Sequence, residues 1–177
     1  MIYMVEMDFR DPAHEHDWHT WYLAHTAQLV RNVPGFTATQ RFRALTPTPS
    51  PWLAMHEVTG PEVFESKEYK ANGGPASTGE WKDRHSNWYR NLFSGDKFNQ
   101  TPDVAFDQHL AIAESGAKLP DAIAQMMYWG ASVGLDKTIE KRGYLLLGPR
   151  ATPRLTATMF GIDGLRIFKP ITPRIAK

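Results

Sequence analysis

Five prolines within the first 51 residues, Pro12, Pro34, Pro47, Pro49 and Pro51, decide where regular structure can run at the start of this chain. Proline has no N–H to give to a ladder and resists helix interiors, so each one marks a start, a stop or a connection. Residues 2–9, ahead of the first, are β-rich. Asp11-Pro12 then supplies a helix start, with Asp11 as N-cap, proline at the first helical position and Glu15 and Asp17 in the early turns. The helix is expected to run to about Asn32, where Pro34-Gly35 stops it, and Phe36–Leu45 reads as a second strand. Thr46-Pro-Thr-Pro-Ser-Pro51 is a stiff connection to a third strand, Trp52–Val58, which makes a β-hairpin.

Residues 61–70 read as a short helix, and 71–79, with three glycines and a proline, as a loop able to act as a lid. Ser77 and Glu80 have capping-box spacing, which predicts a helix carrying Trp81 through Phe93. A strand near Gln108–Ala113 then completes a βαββαβ order. Farther on, 125–132, 143–147 and 165–171 are candidate strands, and no internal repeat is legible. The fold class that follows is α+β: a ferredoxin-like βαββαβ antiparallel sheet with its helices on one face. The other face is uncovered, and two copies packed sheet to sheet would cover it, so a homodimer forming a dimeric α+β barrel is expected. Residues 1–115 make that domain, and 116–177 form a C-terminal extension of short strands on the same core or on the partner.

Charge excludes one class of function. Twenty basic residues stand against 19 acidic ones, a net charge of +1 that offers no footprint for a phosphate backbone, so no nucleic acid is expected. The basic residues are concentrated late, with nine of them and two acids over 137–177, a tail able to dock on a more acidic body. With no cysteine, thiolate zinc sites, iron–sulfur clusters and thiol nucleophiles are excluded. The N-terminal residues lack a basic n-region and the least polar stretch, Ala122–Leu135, contains Gln125 and is too short to span a membrane. The expectation is a soluble, cytoplasmic protein with no membrane partner.

The unusual content is aromatic and imidazole: six Trp, six Tyr, nine Phe and seven His. On the first helix Trp18, Trp21, Tyr22, His25 and Leu29 share a face, and the expected later helix repeats the arrangement with Trp81, His85, Trp88 and Leu92, beside Tyr89. One reading is an aromatic core whose histidines never titrate; the other is a pocket, since Trp, Tyr and His present flat faces with polar tips suited to an aromatic ligand. On the second reading His25 and His85 are the proton-transfer candidates, Tyr22 or Tyr89 would hydrogen-bond a developing oxyanion, and Arg41 would hold a substrate carboxylate. Trp18, Trp21, Trp81, Trp88, Tyr89, Arg41 and His19 are the expected substrate contacts. His56, on the third strand, reads as structural.

Asp17-Trp-His-Thr-Trp-Tyr-Leu-Ala-His25, followed by Val33-Pro-Gly-Phe36 and Gln40-Arg-Phe42, resembles the opening of dimeric α+β barrel proteins, the EthD-like members most of all. The resemblance covers roughly residues 1–115 and matches His25 to the family's helix histidine. That superfamily holds polyketide cyclases, muconolactone-type isomerases, cofactor-free monooxygenases, haem-degrading enzymes and haem-binding dehydratases, so the resemblance implies a fold and leaves the reaction open.

Three other motifs fail, the first on geometry and the second on inventory. His14-Glu-His16-Asp-Trp-His19 is rich in metal-binding types, but His14 lies about 200° from His16 around a helix, so the three do not converge and no metal is expected. Gly130-Ala-Ser132-Val-Gly134 matches a nucleophile elbow, yet no histidine follows His109. Asn99-Gln-Thr101 is a glycosylation acceptor without a secretory signal. The function expected is a small-molecule enzyme of lyase, isomerase or cyclase type, with histidine acid–base chemistry on an aromatic, lactone-like or polyketide-like substrate and no cofactor. The alternatives are a haem-binding or cofactor-free monooxygenase of the same fold, and a binding protein for aromatic ligands.

Overall fold

The computed structural model describes residues 1–149 and 158–177. Strands β1 (Ile2–Met7), β2 (Phe36–Ala44), β3 (Trp52–Val58) and β4 (Trp88–Ser94) form the first half, with helix α1 (Glu15–Asn32) after β1 and α2 (Lys67–Asn72) after β3. The second half holds β5 (His109–Glu114), α3 (Asp121–Met126), β6 (Tyr128–Leu135), β7 (Lys141–Leu147) and β8 (Leu165–Pro170); a short β9 (Ile175–Ala176) ends the chain. The candidate strands of the tail are therefore present, although part of the expected extension, residues 150–157, lies outside the described residues.

The strands lie in the order β2-β3-β1-β4 in the first half and β6-β7-β5-β8 in the second, so the two halves repeat one connectivity. β4 pairs with β6 and β8 with β2, all antiparallel, and eight strands close on themselves. Closure leaves no free edge between the halves. The sheet face that was expected to call for a second copy is covered here by β5–β8 of the same chain, so the physical reason for a homodimer is met internally.

Alternation along each strand sorts the side chains into three layers. Ile2, Met4, Phe42, Leu53, Met55, Phe93, Leu110, Ile112 and Phe168 fill the barrel lumen. Tyr3, Val5, Met7, Trp52, Ala54 and Leu92 face outwards under α1 and α2, packing on Trp18, Tyr22 and Leu29. Ala111, Ala113, Leu147, Leu165 and Ile167 form the outer layer of the second half, with Ile123 of α3.

Several expectations are corrected. Residues 80–93 are not a helix: Pro75–Arg84 is a 3₁₀ segment, and 88–94 is β4, hydrogen-bonded to β1 on one side and β6 on the other. Trp88 and Leu92 are four residues apart, a spacing that keeps two side chains on one face of a helix and of a strand alike, so the pattern could not separate the two periods. Ser77 does not cap; its hydroxyl donates to the Gly74 carbonyl at 2.8 Å. The strand at 109–114 is present, but β4 is the fourth strand of the first half and β5 opens the second. Asp11 does not cap α1 either. Pro12–His14 is a 3₁₀ turn, and the Asp11 carboxylate accepts from Arg84 and His14, each at 2.8 Å.

One polar group crosses the lumen. Glu6 of β1, 3% exposed, receives Arg142 of β7 at 2.5 Å and also pairs with Arg166 of β8, and both arginines reach Glu114 of β5, at 2.8 and 3.0 Å. Burial by itself would raise the Glu6 carboxyl, but Arg142 and Arg166 outweigh it and hold it below the usual range. Arg142 is 0% exposed, so losing Glu6 would leave its buried charge with the half-exposed Glu114 alone. Glu6→Gln is expected to cost about 3–5 kcal/mol and to lower Tm by roughly 10 °C, whereas Glu114→Gln, on a half-exposed side chain, should cost less. Thermal and urea unfolding of the two variants checks this, and equal losses would overturn it.

Candidate active site

Helix α1 buries Trp18, Tyr22, Thr26 and then Leu29 and Val30 against the outer face of the first half because they recur every three or four residues. Trp18 is 0% exposed and lies at the centre of the aromatic layer. Phe9 stacks on it at 4.6 Å and 7°. His85 meets it edge to face at 5.4 Å, Trp52 at 5.9 Å, and His19 lies 4.6 Å away. Trp81 joins through Phe9 at 6.0 Å and through Trp21 at 6.2 Å. The structure thus brings Trp18, Trp21, Trp81, Trp88, Tyr22, His19, His25, His85 and Arg41 into one layer, although His85 gets there from the loop before β4 and not from a helix.

Within that layer the three histidines line separate cavities. His85, whose side chain is 2% exposed, donates from Nδ1 to the main-chain carbonyl of Asp8. The Asp8 carboxylate takes the N–H groups of Ser86 and Asn87 at 2.8 and 3.0 Å, which pins the loop to the end of β1. The ring is gripped by Trp88 at 4.4 Å and Phe9 at 5.5 Å, and Nε2 is buried with no hydrogen-bond partner among the described residues. With the proton on Nδ1, Nε2 holds the lone pair. His85 lines a cavity of about 330 Å³ with Trp88, Lys82, Ser86 and the Arg90–Asp136 pair, which is closed at 2.9 Å.

His25 lines a second cavity, about 290 Å³, beside Trp21, Gln28 and Asn72. Its ring stacks on Trp21 at 5.0 Å and 9°, and it has no hydrogen bond among the described residues. Tyr22 is buried beneath Arg41, whose guanidinium lies 4.2 Å from its ring, so the hydroxyl's pKa is pushed up by burial, less what Arg41 returns. His19 lines a third cavity of about 410 Å³, where its Nδ1 accepts from Arg41 at 3.0 Å. Tyr89 belongs to none of these. Strand alternation sends it through the sheet from Trp88 into a cavity of about 790 Å³ at the barrel mouth, with Glu6, Glu114 and Arg166, where its hydroxyl donates to Asn87 at 3.1 Å.

Residue patterns in the sequence missed Asp8, Phe9, Lys82, Asp136 and the Glu6 ring. Glu6 alone carried a signal: an acid at a lumen-facing position of an otherwise apolar strand. The segment expected as a lid holds Gly74 at φ 72° and Gly79 at φ 54°, left-handed values that favour glycine, so the 3₁₀ segment over the His85 and His25 cavities turns at both.

No three His, Asp or Glu side chains among the described residues could together hold a metal ion. The residues also fit haem poorly, because the cavities at His85 and His25 lie at the small end of ligand pockets and His85 has one nitrogen on a carbonyl and the other sealed under indoles. No helix among the described residues is long and apolar enough to cross a membrane.

No family model and no curated protein matches the sequence. Solved structures do match. An anthrone oxidase-like protein superposes with a TM-score of 0.53 at 8% identity, over 99% of this chain and 92% of that one. A candidate monooxygenase from Lactobacillus acidophilus NCFM gives 0.52 at 6% identity, over 99% and 98%. The likeness is one of fold, and that fold is the α+β barrel which the sequence resemblance implied.

Burial lowers the histidines of this layer: His19 and His25 to about 4, His56 to about 3, and His85 in the same direction against the pull of Asp8. His56 is 1% exposed, bonded to Thr39 at 2.9 Å and stacked on Tyr3. An unfolded chain protonates these rings near 6.5, the folded one only well below, so the unfolded state binds more protons in between. Stability is therefore complete above pH 6.5 and lost as the pH falls towards 3, at about 1.4 kcal/mol per pH unit for each sealed ring. Urea unfolding between pH 7 and 5 should show this slope, and His56→Asn should flatten it by one ring's share; an unchanged slope would contradict a neutral, sealed His56.

Proposed function

We propose that this chain is a small-molecule enzyme that removes a proton from an aromatic or polycyclic substrate, with His85 as the general base. The observation carrying this reading is the fixed tautomer of His85: Nδ1 donates to the Asp8 carbonyl, which leaves a buried, unpartnered lone pair on Nε2. A base needs to be neutral at working pH, and burial among Phe9, Trp18 and Trp88 keeps the ring so. Trp88 offers a flat wall to an aromatic ring. Lys82, which has no carboxylate partner among the described residues, supplies positive charge to the same cavity, where an enolate or phenolate oxygen would develop. Nε2 is sealed in this conformation, so the substrate enters when the 3₁₀ segment between Gly74 and Gly79 swings away. His25 lines its own cavity beside Trp21 and stays outside the proton transfer.

Enolisation, isomerisation and cyclisation all begin with this step. So does a second reading, favoured by the two structural neighbours with oxidase and monooxygenase names. There the carbanion left by His85 meets O₂, a methylene becomes a carbonyl, one oxygen atom stays in the product and the other leaves as water. Neither reading requires a cofactor, and a single chain holds the whole site.

Anthrone serves as a probe for both. Deuterium entering its methylene group in D₂O, followed by NMR, reports the proton transfer, and quinone formation in air reports the oxidation. His85→Gln is expected to slow deuteration by about 10²–10⁴-fold, His25→Gln by far less. Because burial depresses its pKa, the rate should hold its plateau below pH 6.5. Deuteration that His85→Gln leaves untouched would remove His85 as the base.

A further inference from the structure

The third cavity, between the start of α1 and the outer face of β2, β3 and β8, has an electrostatic peculiarity that the proposed chemistry does not use. Arg41 is 3% exposed and has no carboxylate partner among the described residues. Its guanidinium donates to the His19 carbonyl at 3.3 Å and to His19 Nδ1 at 3.0 Å, and lies against the rings of Tyr22 and Trp18. These are neutral partners. A buried charge without a counter-ion costs several kcal/mol, so such arginines are ordinarily paired.

Two further cations share the wall. Arg43 follows Arg41 on the same face of β2, and the register places Lys169 of β8 directly opposite Arg43. Like charges facing each other across a ladder repel. No ion pair relieves either of them among the described residues; Arg43 only lies over Trp52, 5.1 Å from its ring. The acid in the cavity wall, Glu15, faces His19 Nε2 at 3.9 Å. Three cations therefore surround about 410 Å³ of space, and hydroxyls of Thr20 and Thr172 stand in the same wall. Their field is registered by His19, whose ring is pushed down to about 4 by burial and then by Arg41 and Arg43.

We infer that this cavity is a binding site for a small oxyanion, the carboxylate or phosphate group of a metabolite, with Arg41 as the planar fork at its floor and Arg43 and Lys169 closing over it. A planar, delocalised guanidinium accepts two oxygens of such a group at once, and an anion placed there would neutralise the buried charge and bridge the opposed pair. The site is distinct from the His85 cavity, because the indole of Trp18 lies between them, in contact with His85 on one side and His19 on the other. It stands whether or not His85 acts as a base.

The test is a titration at constant ionic strength with inorganic phosphate, with benzoate and with chloride, following Tm and the NMR titration of the His19 ring. Saturable stabilisation by phosphate or benzoate but not chloride is expected, together with a rise in the His19 pKa, which general salt effects would not produce at fixed ionic strength. Response to phosphate alone identifies a phosphorylated ligand, response to benzoate alone a carboxylate. Arg43→Gln with Lys169→Gln, both on exposed side chains, should weaken the binding about tenfold or more; Arg41→Lys, which keeps the charge but loses the fork, should weaken benzoate in particular. Equal effects of chloride, or binding that the double variant leaves unchanged, would overturn the inference.

Discussion

The ring of alternating charge formed by Glu6, Arg142, Glu114 and Arg166 is the point at which the two halves of the barrel are joined through the lumen. A barrel of eight strands must fill its interior with side chains from every strand, and here the first half brings a carboxylate where the second brings two guanidinium groups. Arg142 has no exposure, so its charge depends on Glu6 and Glu114 facing it. Closure thus depends on register: a slip of one residue in β1 would send Glu6 to the outer face and Tyr3 and Val5 inwards. With register held, each outer layer is fixed too, and α1 has one place to dock.

The two outer layers differ in kind although the halves share a connectivity. Beneath α3 the second half packs Ala111, Ala113, Leu147, Leu165 and Ile167, a mainly aliphatic layer. Beneath α1 the first half packs indoles, phenols and imidazoles around Trp18. Aliphatic side chains would fill the same space at lower polar cost, so the aromatic layer is better suited to receiving a flat ligand than to stability alone. The second half is scaffold to the first, and it does within one chain what a partner subunit would otherwise do for a single βαββαβ sheet.

Inside the aromatic layer, electrostatics separates sites that lie within a few ångströms of one another. His85 is oriented by a backbone carbonyl and backed by Asp8, so burial leaves it a neutral base with a fixed tautomer. His19 is kept neutral first by burial and then by Arg41 and Arg43, beside which a further positive charge is unfavourable. Trp18 lies between them, and its own Nε1 has no hydrogen-bond partner among the described residues.

The sequence by itself determined the first hairpin, the α1 helix and the inward turn of its Trp, Tyr and His residues, because proline placement and helical spacing are local properties of the chain. It marked late candidate strands at 125–132, 143–147 and 165–171, of which the structure shifts the first to 128–135 and lengthens the second to 141–147, and the resemblance around Asp17–His25 pointed to the barrel. It could not determine that 88–94 is a strand, since the four-residue spacing of Trp88 and Leu92 suits both periods and only the free edges of β1 and β6 select one. Nor could it show that Tyr89 turns away from Trp88, that Asp8 sets the tautomer of His85, or that Arg43 meets Lys169 across a ladder. The first follows from 88–94 being a strand; the other two join residues far apart in sequence, Arg43 and Lys169 from opposite halves, and such pairings exist only once the sheet has formed.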